Sequence, residues 1–210
     1  MKKNISILLI LLAGIEMLFA KDFGNWKKYE SMKKDDYSVN ENFWKKYKGI
    51  SKALSEEIPA DKLYEVTDNY VFWIVGNSYG EEMHEKLMKL PEILRYSYLV
   101  YSYEAEINNG GFDQFFFNSI GYEVFEIQKA LDFFGLTKNK KILDKAVKLL
   151  ETKINLSDYK KVFTDGKLPT EELEDEFNEL DGLFLEYPEK IESIINTVLD
   201  KNREKLVTNR

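Results

Sequence analysis

The sequence predicts an all-α protein: one compact domain of about seven or eight helices, preceded by a signal peptide. Three observations carry that reading. Apolar residues recur three and four apart through most of the chain, while strand-like alternation is scarce. Gly, Asn and Pro fall between the periodic stretches, where helices stop and start. With 44% hydrophobic residues, including 14 Phe, 13 Tyr and 3 Trp among 210, the chain can fill one core although it has no Cys.

The elements follow in order. Met1 to Asn4 make a basic start, Ile5 to Ile15 an apolar run, and Ala20 a small residue before the polar Lys21-Asp22. That is the layout of a secretory signal over residues 1–20, cleaved after Ala20. Cleavage predicts export to the periplasm or beyond, with no stable membrane insertion afterwards. Retention of the segment would leave a cytoplasmic protein. Residues 21–37 read as an N-terminal extension and 38–207 as the domain.

Within the domain, 38–54 carries Phe43, Tyr47, Ile50 and Leu54 on one side of a predicted helix. Residues 60–75 present Leu63, Val66, Tyr70 and Ile74, and Gly76-Asn77 supplies a stop. Pro91 suits the first turn of a helix running to Ile107, with Asn108-Asn109-Gly110-Gly111 as its break. Further helices are predicted at 122–134, 138–153, 170–186 and 188–206. Thr170 is the expected cap of the third of these, and Pro188 the start of the fourth.

Composition excludes much chemistry. The absence of Cys removes thiolate metal sites, cysteine nucleophiles and disulfides, and a single His, His84, removes multi-histidine sites. Glu81-Glu82-Met83-His84 has the Glu-x-x-His spacing of di-iron bundles, but such sites need the motif twice. No Gly-x-Ser-x-Gly elbow, Walker loop or EF-hand loop occurs. The expectation is a protein without cofactor or metal and without catalysis; an enzyme using clustered carboxylates is the weaker reading. Lys27, Lys28, Lys33, Lys34, Lys45, Lys46 and Lys48 lie among Trp26, Tyr29, Trp44 and Tyr47, a mixture that can bind single strands. Glu30, Asp35, Asp36 and Glu41 dilute it to an ordinary amphipathic surface, so no direct nucleic-acid binding is expected.

The formal net charge is −7, and it is local. Residues 21–103 hold 13 basic and 14 acidic side chains, whereas 104–210 hold 15 and 22. Leu173, Phe177, Leu180 and Phe184 form one buried stripe of a helix, and Glu171, Glu172, Glu174, Asp175, Glu176, Glu179 and Asp181 fall mostly off it. Three readings stand: a solvated face, a surface for a basic partner, or a face neutralised by Lys138, Lys140, Lys141, Lys145, Lys148 and Lys153. A second feature is Asn108-Asn109-Gly110-Gly111-Phe112-Asp113-Gln114-Phe115-Phe116-Phe117-Asn118. A Gly pair before a helix can cradle an anion, although Asp113 in the first turn would compete with one. Three consecutive Phe span about 200° of a helix and cannot all enter one stripe. Either the element is buried on most sides, or one Phe faces a subunit interface.

This Asn-Asn-Gly-Gly-Phe run, with Gln114, Phe115, Phe116 and Asn118, resembles the hallmark of a bacterial all-α family named for a DNA-mimic protein. The pattern Phe177-x-x-Leu180-Asp181-x-x-Phe184 is similar to that family's C-terminal part, and the resemblance covers about residues 60–205. It implies a helical, often dimeric, non-enzymatic protein. The family's namesake presents acidic side chains as a DNA-like surface and occupies the DNA-binding face of a transcription factor. The hallmark residues themselves are structural, because Asn, Gly and Phe carry no acidic surface. The leading expectation is an acidic module that occupies a basic surface of a partner such as a DNA-binding protein. The alternative is an exported structural or interaction protein that keeps the fold without the mimicry.

Overall fold

The computed structural model describes residues 43–208. The signal, the extension and most of the lysine-aromatic stretch lie outside these residues. Among the described residues every regular element is helical: α1 (Lys52–Glu57), α2 (Leu63–Val75), α3 (Gly80–Met88), α4 (Glu92–Phe117), α5 (Val124–Phe133), α6 (Thr137–Glu151), α7 (Tyr159–Thr164), α8 (Glu174–Leu185) and α9 (Ile191–Asp200). Single 3-10 turns precede α2, α5, α7 and α8 and follow α9. No helix among these residues is long and apolar enough to cross a membrane.

The long α4 is the axis of the molecule. It packs against α2 on one side and against α5 and α8 on others, while α6 bridges α5 and α8, and α9 lies on α2. Its apolar residues explain that position: Leu94, Leu99, Val100, Tyr103, Ile107, Phe112 and Phe115 are all fully enclosed. A helix surrounded by helices needs apolar side chains around most of its circumference. The two ends of the described chain are clasped together. Thr208 donates its amide to the Ile50 carbonyl and accepts the Ile50 amide at its hydroxyl, both at 2.9 Å. Arg203 donates to the carbonyls of Ser55 and Ile58.

The sequence-derived elements differ from these in five places. The helix expected over 38–54 is interrupted: 43–47 are helical, Lys48 takes φ 54° and Gly49 φ 141°, and α1 starts afresh after Ser51, whose hydroxyl accepts the Leu54 amide. The break lets Trp44 and Ile50 both be buried. Asn108 to Gly111 do not end the helix but kink it; only Gly110 and Gly111 leave helical geometry. Thr170 makes no side-chain cap, and α8 begins at Glu174 after a 3-10 turn. Pro188 lies in the loop before α9 rather than at its start. Finally, α3 and α7 are additional short helices. Met83 and Leu87, four apart, are the buried residues of α3, too few for the periodicity to declare it.

Candidate functional site

The acidic helix and the glycine kink form one assembly. Phe112, Phe115 and Phe116 from the second half of α4 meet Phe177 and Phe184 of α8 and Tyr103 of the first half of α4. Phe116 stacks on Phe177 with ring centroids 5.4 Å apart, and Tyr103 meets Phe115 edge-on at 5.4 Å and Phe184 at 5.6 Å. This aromatic cluster buries the stripe Leu173, Phe177, Leu180 and Phe184, as the helical spacing predicts. The Phe triplet resolves likewise: Phe115 and Phe116 are buried and Phe117 is 83% exposed.

The kink is stabilised from α8. Gly111 has φ 72° and ψ −168°, a region that is essentially closed to residues with a Cβ. It leaves the amide of Phe112 at the open N-terminus of a new helical segment, and Asp181 Oδ1 accepts that amide at 2.9 Å. The anion that a Gly pair ahead of a helix can hold is thus a carboxylate of the same chain. A Cβ on Gly111 would come within 2.1 Å of Asp181 Oδ2. Burial raises the pKa of Asp181, with a smaller contribution from Asp113; the Phe112 amide opposes it. Across the kink, Gln114 and Asn118 both donate to Glu106 Oε2, at 2.6 and 2.7 Å. Asn108 accepts the Tyr187 hydroxyl at 2.9 Å, tying the end of α8 to α4. Asn109 is exposed.

The acidic residues therefore separate into two groups. Glu171, Glu174, Asp175, Glu176 and Glu179 are exposed and make no ion pair among the described residues. Glu172 is exposed and paired with Lys153 at 3.0 Å. Asp181, expected among the solvated acids, is half-buried and structural instead. Its place follows from geometry: four residues after Phe177 it lies only about 40° around the helix from that buried ring. Glu189, outside the predicted set, plays the same part at α6, accepting the amides of Lys138 and Asn139 at 3.1 and 2.9 Å and the Asn139 side chain at 2.9 Å.

The lysine helix does not neutralise the acidic one. α6 packs on α8, yet the one ion pair of these lysines with an α8-side acid among the described residues is that of Lys153, two residues past the end of α6, and Lys140 pairs within α6 to Asp144 at 2.8 Å. Elsewhere, the Glu-x-x-His segment on α3 enters polar contacts rather than a ligand set. His84 Nδ1 lies 3.0 Å from Glu123 Oε2, and the Tyr122 hydroxyl donates to Glu81 at 2.5 Å. Burial raises the pKa of Glu123, and His84 opposes the shift.

No curated protein and no solved structure matches the chain. A family model does: the one described as DMP19-like protein aligns over residues 88–202, from the end of α3 through α9. Its span holds the whole kinked helix, the lysine helix and the acidic helix, more than half of the 210 residues. The chain thus belongs to the DMP19-like family, a family of DNA-mimic proteins.

Proposed function

We propose that this protein is a non-catalytic binding module whose α8 face occupies the basic, DNA-binding surface of a partner protein. The observation that carries the reading is the exposed set Glu171, Glu174, Asp175, Glu176 and Glu179, without an ion pair among the described residues and held on α8 and the 3-10 turn that leads into it, whose opposite side is locked into the aromatic core. Family membership supports it. Carboxylates at helical pitch lie a few ångströms apart, a density of the order of duplex phosphates at one per roughly 1.7 Å of axis. Carboxylates on a helix that is held in place steer a basic surface into register, and the helix backbone has little freedom left to lose on binding. Like charges at helical spacing repel by about 0.2–0.5 kcal/mol a pair, which a basic partner relieves.

The test is competition. A partner recovered from native lysate and from the periplasmic fraction is titrated against the protein with and without duplex DNA, at two salt concentrations. The reading expects mutual exclusion with DNA. It also expects that replacing Glu174, Asp175, Glu176 and Glu179 by Gln, Asn, Gln and Gln weakens binding and flattens its salt dependence. Unchanged affinity for that quadruple variant excludes α8 as the surface.

A further inference from the structure

The two most exposed large apolar side chains among the described residues, Phe117 at 83% and Tyr79 at 75%, stand on one groove. They come from different elements, Phe117 from the last position of α4 and Tyr79 from the residue before α3, and the groove they line holds about 550 Å³. A second hollow of about 100 Å³ shares Phe117 and Phe163 with it and adds Leu168. Single exposed apolar side chains are ordinary, but a set of them around one groove marks a contact surface. The floor is held in place. Phe163 and Leu168 pack on the core, and Tyr122, which is buried, meets the Phe163 ring at 5.7 Å and donates to Glu81. Tyr159 lies beside Phe163 and donates its hydroxyl to the Gly121 carbonyl at 2.7 Å. A floor set in advance needs little ordering when something lands on it.

The charge around the groove selects its occupant. The two charged side chains in its lining, Glu81 and Glu82, are acidic, and Glu82 pairs with Lys86 at 3.0 Å. Thr170, in the second hollow, leads directly into Glu171 and the acidic turn before α8. Asp113 is exposed four residues before Phe117, hence on the same face of α4, and its charge acts on Asp181 of α8. The N-terminal half of α8 lies at this end of α4, where Phe177 stacks on Phe116. The groove therefore opens onto the acidic face. Nearby bases are engaged: Lys161 and Lys167 pair with Asp165 at 2.9 and 3.6 Å, and Lys160 places its ammonium 4.4 Å over the Tyr122 ring. A second copy of this chain fits poorly. A two-fold contact lays a patch on its own image, which would set this acidic rim against another.

We infer that the groove at Phe117 seats one large apolar side chain of the partner, aromatic or leucine-like, carried by a lysine- or arginine-rich segment whose charges lie along the acidic face. The inference rests on the α8 reading for the partner's charge and adds an apolar socket that a surface of phosphates lacks. The two parts respond differently to solution conditions. Salt screens the attraction between exposed charges and leaves the burial of an apolar side chain in place. They also divide the labour of recognition: charge brings any basic surface to the protein, and the socket favours one whose apolar side chain projects at the right place. A large apolar side chain enclosed at the centre of a contact, with charges around it, has the anatomy of a binding hot spot.

The experiment is an anisotropy titration of the full chain with dye-labelled lysine nonapeptides that carry one central tryptophan or one central alanine, and with a glutamate counterpart of the tryptophan peptide. The tryptophan peptide should bind about tenfold or more tighter than the alanine peptide, with a ratio that persists at raised salt, and the glutamate peptide should not bind. Phe117→Ala should bring the ratio close to one, while Phe117→Leu, which keeps an apolar wall, should retain most of it. Because Phe117 is exposed, an unchanged urea midpoint should accompany both variants. The quadruple α8 variant should weaken both lysine peptides and leave their ratio intact. If it weakens neither while the ratio stands, the α8 reading fails and the socket survives. Equal binding of the tryptophan and alanine peptides overturns the socket, as does a ratio that Phe117→Ala leaves unchanged. A dimer that Phe117→Ala converts to a monomer in sedimentation would give the groove to a second copy. Tighter peptide binding in Trp26→Ala would give it to the chain's own N-terminal segment. Either of these results also overturns the assignment to a partner.

Discussion

Replacing Gly111 by Ala tests how the kink is held, and two separable costs can be worked from the structure. The first is the backbone: a residue with a Cβ at φ 72°, ψ −168° costs about 1–3 kcal/mol. The second is the cap. The new methyl, 2.1 Å from Asp181 Oδ2, expels that carboxylate and leaves the Phe112 amide without its acceptor, worth about 0.5–2 kcal/mol for a helix N-terminus. Gly111→Ala should therefore lose about 2–5 kcal/mol in total. Asp181→Ala should lose only the cap, about 0.5–2 kcal/mol. Asp181→Asn keeps an acceptor and removes a charge that burial disfavours, so it should cost less than Asp181→Ala. The two sites cannot be additive, because Ala at 181 has already vacated the space that the new Cβ needs. The double variant should fall short of the sum of the singles by about 1 kcal/mol. Urea unfolding with a common m-value reads all four species. Strict additivity, or a Gly111→Ala loss below about 0.5 kcal/mol, would refute the account.

Three further outcomes are expected. Burial pushes Asp68 up to about 8 and Glu104 up to about 7, above their unfolded values, so the stability they contribute is fully present below about pH 4 and is lost as pH rises to 8. Asp68→Asn should then gain on the order of 1–2 kcal/mol at pH 9 and little at pH 5, measured by urea midpoints at both. Lys153→Ala breaks the exposed bridge to Glu172 and should change stability by less than about 0.5 kcal/mol; a larger loss would restore the lysine helix as the counterpart of the acidic one. Intact mass of the natively expressed protein should give a chain starting at Lys21, and retention of Met1 on a soluble product would rule out export.

Periodicity made the helices legible because burial here follows the 3.6-residue repeat, and the stripe through Leu173, Phe177, Leu180 and Phe184 is the clearest instance. It was silent where a helix buries too little to show, as in α3, and where a cap comes from elsewhere in the chain. Local capping rules pointed to Thr170 for α8, but that hydroxyl makes no cap. The caps that do form on α6 and on the second half of α4 come from Glu189 and Asp181, 50 and 69 residues away. A Gly pair followed by an aromatic run shows that a backbone amide will need an acceptor; it does not show which residue supplies it.

The division of labour among the acids has a consequence for the proposed surface. Asp181 lies on the same helix as Glu174, Asp175, Glu176 and Glu179, and its bond to Phe112 ties α8 to α4 just where α4 turns. Tyr187, just past the end of α8, makes a second tie, to Asn108. The orientation of the exposed carboxylates is therefore set by a kink that carries no acidic surface of its own. A charge-bearing face is useful to a partner only if its spacing is held, because each loosened side chain must be ordered again on binding. Variants at Gly111 or Asp181 that still fold should thus weaken partner binding with the net charge of the exposed set untouched. Charge and position would then be separable: the quadruple amide variant removes the first, and the kink variants disturb the second.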